Sequence, residues 1–228
     1  MKRTETGFTL IEMVVTVAIL SIATAITAPI ITRNRWQGEV DRYASMLESG
    51  LYGLRAKLGA RKTSCIISFP AKFNFAPPNK LVEFSQSNSN NQTSFQCCDS
   101  EISRLKHDPD CNIGHPGYQL SSLTNRPLDN LRLLLHESTP ESNAVRVAVS
   151  GKEFGFTPPG TTANSGTLTF LICHNRSQTA GSTSACLPDQ DRLRMRCVQI
   201  DGTGAIAKGT WEVTSPSSPT SSGTCKKH

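Results

Sequence analysis

The sequence has the length and composition of one ordinary domain with additional segments. It contains 228 residues, of which 37% are hydrophobic and 18% charged, and these fractions exclude both a disordered tail and a protein with several membrane spans. The formal net charge of +6 is mildly basic, well short of the dense basic surface of a dedicated DNA-binding domain.

The N-terminal thirty residues contain a long apolar run. Residues 1–7 are polar, whereas 8–31 are apolar apart from one acidic residue, Glu12. As a helix, 8–31 would be about 36 Å long, enough to cross a hydrocarbon core of about 30 Å. A conventional secretory signal peptide is the alternative interpretation. The carboxylate of Glu12 inside the run, and Pro29 where conventional cleavage would fall, count against that alternative.

Beyond the apolar run the helical pattern continues and becomes amphipathic. Apolar residues recur every three or four positions, with charged residues between them, so we predict that 32–60 packs one face against a globular head. Gly59 is the expected end of this helix. The basic residues near its end are interpreted as a solvated helix terminus rather than a binding patch.

After the helix, short β-rich segments alternate with turns rich in Pro, Gly, Ser and Asn. The predicted strands are 64–69, 131–136, 144–150, 153–157, 166–173, 192–201 and 205–213. Short strands joined by such turns imply antiparallel pairing. The expected fold class is therefore α+β, with a long N-terminal helix packed on an antiparallel β-rich head over 61–213. Within the head, 85–130 is expected to be a polar loop insertion, and 214–228 a Ser/Thr/Pro-rich flexible tail.

The boundary between the polar leader and the apolar run resembles a known processing signature. Residues 7–12 read Gly-Phe-Thr-Leu-Ile-Glu, similar to the cleavage and methylation site of type IV prepilins and type II secretion pseudopilins. The resemblance implies cleavage between Gly7 and Phe8 by a prepilin peptidase, followed by N-methylation of Phe8. Glu12 then becomes the fifth residue of the mature chain. Pro29 becomes the twenty-second, where the family often has a helix-kinking proline.

This resemblance also implies a structural role, a location and a set of partners. It implies the pilin fold, with one inner-membrane span, a periplasmic head, and a place in a pilus or pseudopilus after assembly. The implied partners are the prepilin peptidase/N-methyltransferase, major and minor pilins or pseudopilins, and the inner-membrane assembly platform. No enzymatic activity and no cofactor are expected. A type IV pilus, a type II secretion system and a polysaccharide exporter all remain open as the parent machine.

Glu12 is the predicted assembly residue. Cleavage creates a positive amine at the edge of the apolar helix, and the Glu12 carboxylate of a neighbouring subunit is a suitable partner for it. Pairing lowers the cost of burying both charges and favours a particular stagger between subunits. The alternative is a carboxylate that only reaches towards the membrane interface and has no role in assembly.

Segments of the C-terminal half resemble one subfamily. Residues 154–160, 166–173 and 196–200 are similar to the GspH/FimT-type minor pseudopilin head. DNA-binding members of that group carry a Gly-Arg-x-Arg turn, whereas 204–207 here read Gly-Ala-Ile-Ala. Nucleic acid is therefore not an expected partner, although a DNA-binding or adhesive tip subunit stays as the alternative function. Three arginines that alternate along one predicted strand could bind DNA in place of the missing turn arginines, or could form a solvated strand face: Arg192, Arg194 and Arg196.

The cysteines predict disulfide bonds rather than a metal site. There are eight of them, with no C-x-x-C pair, and an even number in an exported head favours disulfides. All are disulfide candidates: Cys65, Cys97, Cys98, Cys111, Cys173, Cys186, Cys197 and Cys225. Pairing of Cys173 with Cys186 or Cys197 is one expectation, and a disulfide of Cys225 that ties the tail back to the head is another.

Metal binding and catalysis have weak support in the sequence. Cys97, Cys98, Cys111 and two nearby histidines could ligate zinc, but their spacing fits no standard site. No G-x-S-x-G or H-E-x-x-H motif is present. We therefore predict no metal and no catalytic residue.

Overall fold

The computed structural model describes most of the helix and of the head. The described residues are 9–61, 63–70, 72–83, 94–99, 139–157, 161–162, 166–178, 185–187, 192–215 and 221–227. The leader, the cleavage site Gly7–Phe8, the predicted strand 131–136 and Cys111 lie outside them.

The described residues form one long α-helix, two very short α-helices and nine strands, besides a 3₁₀ turn (Asn175–Ser177). In chain order these are α1 (Leu10–Arg61), β1 (Thr63–Ser68), α2 (Pro78–Leu81), β2 (Ser94–Asp99), α3 (Pro140–Ala144), β3 (Val145–Val149), β4 (Glu153–Thr157), β5 (Thr161–Thr162), β6 (Leu168–His174), β7 (Arg196–Ile200), β8 (Ile206–Val213) and β9 (Gly223–Lys227). One sheet has the order β2-β1-β4-β5 and the other β3-β6-β7-β8-β9, and neighbouring strands are antiparallel. The predicted α+β class is confirmed.

Helix α1 has 52 residues and two different halves. The side chains from Leu10 to Ile31 are exposed, whereas the stripe from Val40 to Leu58 is buried. The helix continues two residues past Gly59, so the predicted end at that glycine is wrong. Glycine costs a helix only about 1 kcal/mol, and burial of the adjacent Leu58 holds this last turn in place.

The main core lies between the second half of α1 and both sheets. Leucines of α1 at 47, 51, 54 and 58 are fully or almost fully buried in one cluster with aromatic residues from each sheet. Phe154 and Phe156 come from β4, and Phe170 comes from β6. Since α1 is part of this core, the head cannot detach from the helix without exposing a large apolar area to water.

A second apolar cluster covers the other face of the five-stranded sheet. It contains Ala148, Leu171, Met195 and Trp211, together with the cysteines at 173, 186 and 197. Strand β6 therefore has apolar layers on both faces and is buried at every position. This explains why 170–173 reads as a continuous apolar run rather than an alternating one.

Three strand predictions need correction. Strand β2 lies inside 85–130, which was expected to be a loop, because β1 supplies its backbone hydrogen bonds whatever its composition. Strand β9 lies inside 214–228, the expected flexible tail, because β8 pairs with it residue by residue. Strand β7 begins at Arg196 rather than residue 192, since Arg192 has a left-handed φ of 57° and the N–H of Arg194 bonds the side chain of Gln37 on α1 instead of a strand.

Candidate functional site

The first half of α1 presents a continuous apolar surface. Its large apolar side chains, from Leu10 to Ile31, are 48–82% exposed. Among the described residues, α1 is the one helix that is long and apolar enough to cross a membrane. Exposed apolar surface of this extent marks contact with a membrane or with other helices.

Polar side chains within this apolar surface are satisfied by the helix itself. The hydroxyl groups donate to carbonyl oxygens three or four residues earlier, at 2.7–3.1 Å, in Thr16, Ser21, Thr24, Thr27 and Thr32. Such bonds lower the cost of placing a hydroxyl in an apolar environment. The segment can therefore enter a membrane or a helix bundle without polar partners for these residues.

Glu12 and Thr9 form a reciprocal cap at the start of α1. The backbone N–H and the hydroxyl of Thr9 donate to Oε2 of Glu12 at 2.8 and 2.9 Å. The N–H of Glu12 donates back to the Thr9 hydroxyl at 3.3 Å. The Thr-x-x-Glu spacing before an apolar run is the sequence signal of a capping box, which the sequence analysis missed. A carboxylate at this position also complements the positive end of the helix dipole.

Pro29 lies inside α1, and the helix continues through it. Proline has no N–H to donate to the carbonyl four residues earlier, so one bond of the helix ladder is missing there. The hydroxyl of Thr32 donates to the carbonyls of Ala28 and Pro29, at 3.1 and 3.0 Å. This is the one irregular turn that the sequence predicts in the exposed half of α1.

Where α1 meets the head, an aromatic and charged cluster holds it. The guanidinium of Arg176 lies 4.3 Å from the centre of the Trp36 ring, and the His174 ring lies 5.8 Å from the same ring. Nε2 of His174 is 3.2 Å from a carboxylate oxygen of Glu39. Burial lowers the pKa of His174, although Glu39 opposes that shift.

A second contact joins α1 to β7. Arg196 donates from Nε to Asp41 Oδ1 at 2.6 Å and from Nη2 to Oδ2 at 3.1 Å. The same guanidinium bonds the hydroxyl of Thr210. Burial alone would raise the pKa of Asp41, but the hydrogen bonds from Arg196 and Gln37 outweigh it and lower that pKa.

The other end of the buried half of α1 contacts the turn between β7 and β8. Tyr52 donates its hydroxyl to the carbonyl of Ile206 at 2.8 Å, and Arg55 donates to the carbonyl of Gly204 at 2.9 Å. Gly204 has φ of 80°, a left-handed conformation that favours glycine. A side chain of α1 therefore binds the backbone of this turn.

The five cysteine side chains that the structure describes are all in disulfide bonds. Cys173 is bonded to Cys186, and Cys197 to Cys225. Cys65 is also disulfide-bonded, and its backbone pairs with that of Cys97 between β1 and β2. Cys98 follows on β2. None of the cysteines whose side chains the structure describes is free, and the described residues contain no group of three or more His, Cys, Asp or Glu that could hold a metal.

Comparison with known proteins assigns a motif to the start of the chain. The sequence model of the prokaryotic N-terminal methylation motif matches residues 2–28. The match includes Gly7, Phe8 and Glu12 and ends one residue before Pro29. The chain thus carries a prokaryotic N-terminal methylation motif on the exposed apolar half of a helix whose other half forms the core of a head.

Comparison with curated proteins and with solved structures adds little to the motif match. None of the curated proteins matches the chain. Among solved structures, it is similar to the crystal structure of the type IV minor pilin FimU of Pseudomonas aeruginosa. The sequence identity is 14% and the TM-score 0.37, over 74% of this chain and 87% of that one.

Proposed function

We propose that this chain is a minor pilin or pseudopilin, a structural subunit of a type IV pilus or of a type II secretion-like pseudopilus for protein or polysaccharide export. The single observation that carries the proposal is the position of the methylation motif at the start of α1. The motif precedes an exposed apolar surface, and the same helix continues into the core of the head. One rigid element thus joins a processing site, an apolar surface and a folded head.

Such a helix suits a subunit that moves from a membrane into a filament. In both environments the exposed apolar surface faces apolar partners, first lipid and then neighbouring helices. Its hydroxyl groups need no external partner in either place. The head stays attached because its core includes α1 and because Tyr52 and Arg55 bind the turn between β7 and β8. Transfer therefore requires no refolding of the head.

The proposed processing defines the partners and the location. A prepilin peptidase/N-methyltransferase would cut between Gly7 and Phe8 and methylate Phe8. The subunit would then reside in the inner membrane through 8–31, with its head in the periplasm, until the assembly platform adds it to other pilins. Glu12 would receive the N-terminal amine of a neighbouring subunit, while Pro29 would adapt the helix to the filament.

The experiment that tests this function is co-expression with a prepilin peptidase, followed by intact-mass measurement. We expect a chain that begins at methylated Phe8. A Gly7→Ala variant should retain some processing, whereas a bulky residue in Gly7→Trp should block it, because the peptidase must fit the residue before the cut. A chain that keeps Met1, or one that starts after Ala28 as a secretory signal peptide would, contradicts the proposal.

A second candidate is a tip subunit that binds DNA or a surface ligand. The observation that favours it is the exposure of Arg192 and Arg194 on the head. Against it, the turn at 204–207 lacks arginine and its Gly204 carbonyl is already bonded by Arg55. In an electrophoretic mobility-shift assay, binding of duplex DNA by the wild-type chain that is lost in the Arg192→Gln/Arg194→Gln variant would support this second function.

A further inference from the structure

A groove with a volume of about 460 Å³ lies where α1 leaves the head towards its exposed apolar half. Residues from α1 and from the chain before β7 line it together: Arg33, Asn34, Gln37, Arg192, Arg194 and Arg196. All six are polar or basic. The described residues that line the groove include no acidic side chain.

The segment before β7 is held so that its arginines face outward. Leu193 and Met195 are buried, with 2% and 3% of their surface exposed, so the alternating Arg192 and Arg194 are turned to solvent. Gln37 of α1 accepts a hydrogen bond from the N–H of Arg194 at 2.7 Å and donates one to its carbonyl at 3.3 Å. These bonds place the two arginines beside Arg33.

The backbone at Arg192 is in a left-handed conformation, with φ of 57°. This conformation costs a residue other than glycine on the order of 1–3 kcal/mol and persists where the surrounding structure imposes it. At Arg192 the next two residues are held by their contacts: Leu193 is buried, and Arg194 is hydrogen-bonded to Gln37.

Most of the positive charge of the groove is not neutralised within the described chain. Arg196 is paired with Asp41, and Arg35 just outside the groove is paired with Glu39 at 3.4 Å. By contrast, Arg33, Arg192 and Arg194 form no side-chain hydrogen bond or ion pair with the residues that the structure describes. Planar guanidinium groups with free donors are well suited to bind phosphate oxygens.

The groove lies at a defined depth relative to the apolar half of α1. The segment 9–31 is about 35 Å long as a helix, close to the hydrocarbon thickness of about 30 Å. Arg33 follows Ile31, the last exposed apolar residue of this segment, by two positions, or about 3 Å along the axis. With the segment in a bilayer, the groove therefore lies at the level of the lipid phosphates.

We propose that this groove binds the phosphodiester headgroup of an anionic phospholipid in the leaflet that faces the head. The inference rests on the proposed function, because only a membrane-inserted α1 brings the groove to that depth. The bound lipid joins α1 to the segment before β7 at the membrane surface. The lipid thereby fixes the orientation of the head relative to the bilayer before assembly. It must be released when the subunit leaves the membrane.

Native mass spectrometry of the full chain in a non-ionic detergent tests the proposal. The probes are phosphatidylglycerol, which is anionic, and phosphatidylcholine, which is zwitterionic, added in equal amounts. We expect the wild type to retain phosphatidylglycerol preferentially. Arg192→Gln/Arg194→Gln should weaken that retention about tenfold or more, since each arginine near a membrane surface contributes measurably to binding. Arg33→Gln, at a half-buried position whose side chain forms no hydrogen bond or ion pair with the described residues, should weaken it without altering the head.

The matched control is Lys72→Gln/Lys152→Gln. It removes the same charge from two exposed residues that do not line the groove. This variant should keep the lipid preference of the wild type. Equal retention of phosphatidylglycerol by the wild type, the arginine variants and the control would overturn the proposal, as would retention that falls equally in the arginine variants and the control.

Two further arms distinguish other ligands. If the wild type binds inorganic phosphate but shows no preference between the two lipids, the groove is a site for free phosphate and the lipid proposal is overturned. If the wild type binds duplex DNA through the same arginines and shows no lipid preference, the groove is a nucleic-acid site and the lipid proposal is again overturned. Processing by prepilin peptidase is measured separately on each variant, so failure of the pilin assignment is not confused with failure of the lipid site.

Discussion

Arg196 of β7 donates two hydrogen bonds to the carboxylate of Asp41 on α1, across 155 residues of sequence. This bidentate pair is half-buried and lies beside the point where α1 leaves the head. Together with the bonds of Gln37 to Arg194, it fixes the direction in which the exposed half of α1 projects. A subunit that transmits force or position through α1 depends on such a junction.

We predict that Asp41→Ala destabilises the head by about 1.5–3 kcal/mol, because the half-buried guanidinium of Arg196 loses its charged acceptor. Denaturant unfolding of the full chain in detergent, followed by circular dichroism, measures the change. Glu212→Ala is the matched control, since it breaks the exposed pair with Lys226 and should cost less than about 1 kcal/mol. Equal effects of the two substitutions would show that the Asp41 pair has no special role.

The junction at His174 should make head stability depend on pH. Burial lowers the pKa of His174 in the folded state below the usual histidine value of about 6.5. Protons therefore bind the unfolded chain more readily, and stability should fall as the pH drops below about 6.5 until the folded-state pKa is reached. Unfolding midpoints of the wild type and of His174→Gln, compared between pH 7.5 and 5, measure this contribution.

Glutamine is the chosen replacement because its amide can still bond Glu39 and the N–H of Arg176 without titrating. The stability of His174→Gln should therefore change less with pH than that of the wild type. If both proteins lose the same stability on acidification, other groups cause the loss and the assignment to His174 is wrong.

Two substitutions of Glu12 separate its local role from its proposed role in assembly. Glu12→Ala removes both the cap on Thr9 and the charge, whereas Glu12→Gln keeps an oxygen that can accept the Thr9 bonds. If the charge pairs with a neighbour's amine, both variants should be processed and inserted but reduced in sheared filaments, because a buried amine loses its partner. Fractionation and immunoblotting measure the distribution.

The glutamine variant decides between the two roles. Wild-type amounts of Glu12→Gln in the filament fraction, with loss of Glu12→Ala, would mean that the cap matters and the charge does not. Wild-type amounts of both would mean that Glu12 is a passive carboxylate in this subunit.

The Cys197–Cys225 disulfide should hold β9 on the sheet. It closes a separation of 28 residues, and both cysteines contribute with Trp211 to the second apolar cluster. Cys197→Ser/Cys225→Ser should therefore lower head stability by about 2–4 kcal/mol and open the C-terminal strand to proteolysis. Limited proteolysis with mass spectrometry reads the cleavage sites. Protection of 221–227 equal to that of the wild type would show that pairing with β8 is sufficient.

Local features of the sequence were enough to predict α1 and its division into two halves. The apolar run from residue 8 and the amphipathic repeat to residue 58 follow the helix period, which depends only on neighbouring residues. The same holds for the signature at 7–12, which the motif match at 2–28 covers. The strand segments around β3, β4, β6 and β8 were also predicted, since each combines β-forming residues with clear turn signals.

Only the tertiary structure determined which distant segments meet. Strands β2 and β9 have polar compositions, and their structure depends on backbone pairing with β1 and β8 rather than on their own residues. The partners of Cys173 and Cys197 were open for the same reason, since any cysteine brought near by the sheet can close the bond. Arg192, Arg194 and Arg196, the last at the start of β7, form an alternating row in the sequence. Their placement beside Arg33 of α1 depends on Gln37 and on core packing, long-range contacts that no local pattern records.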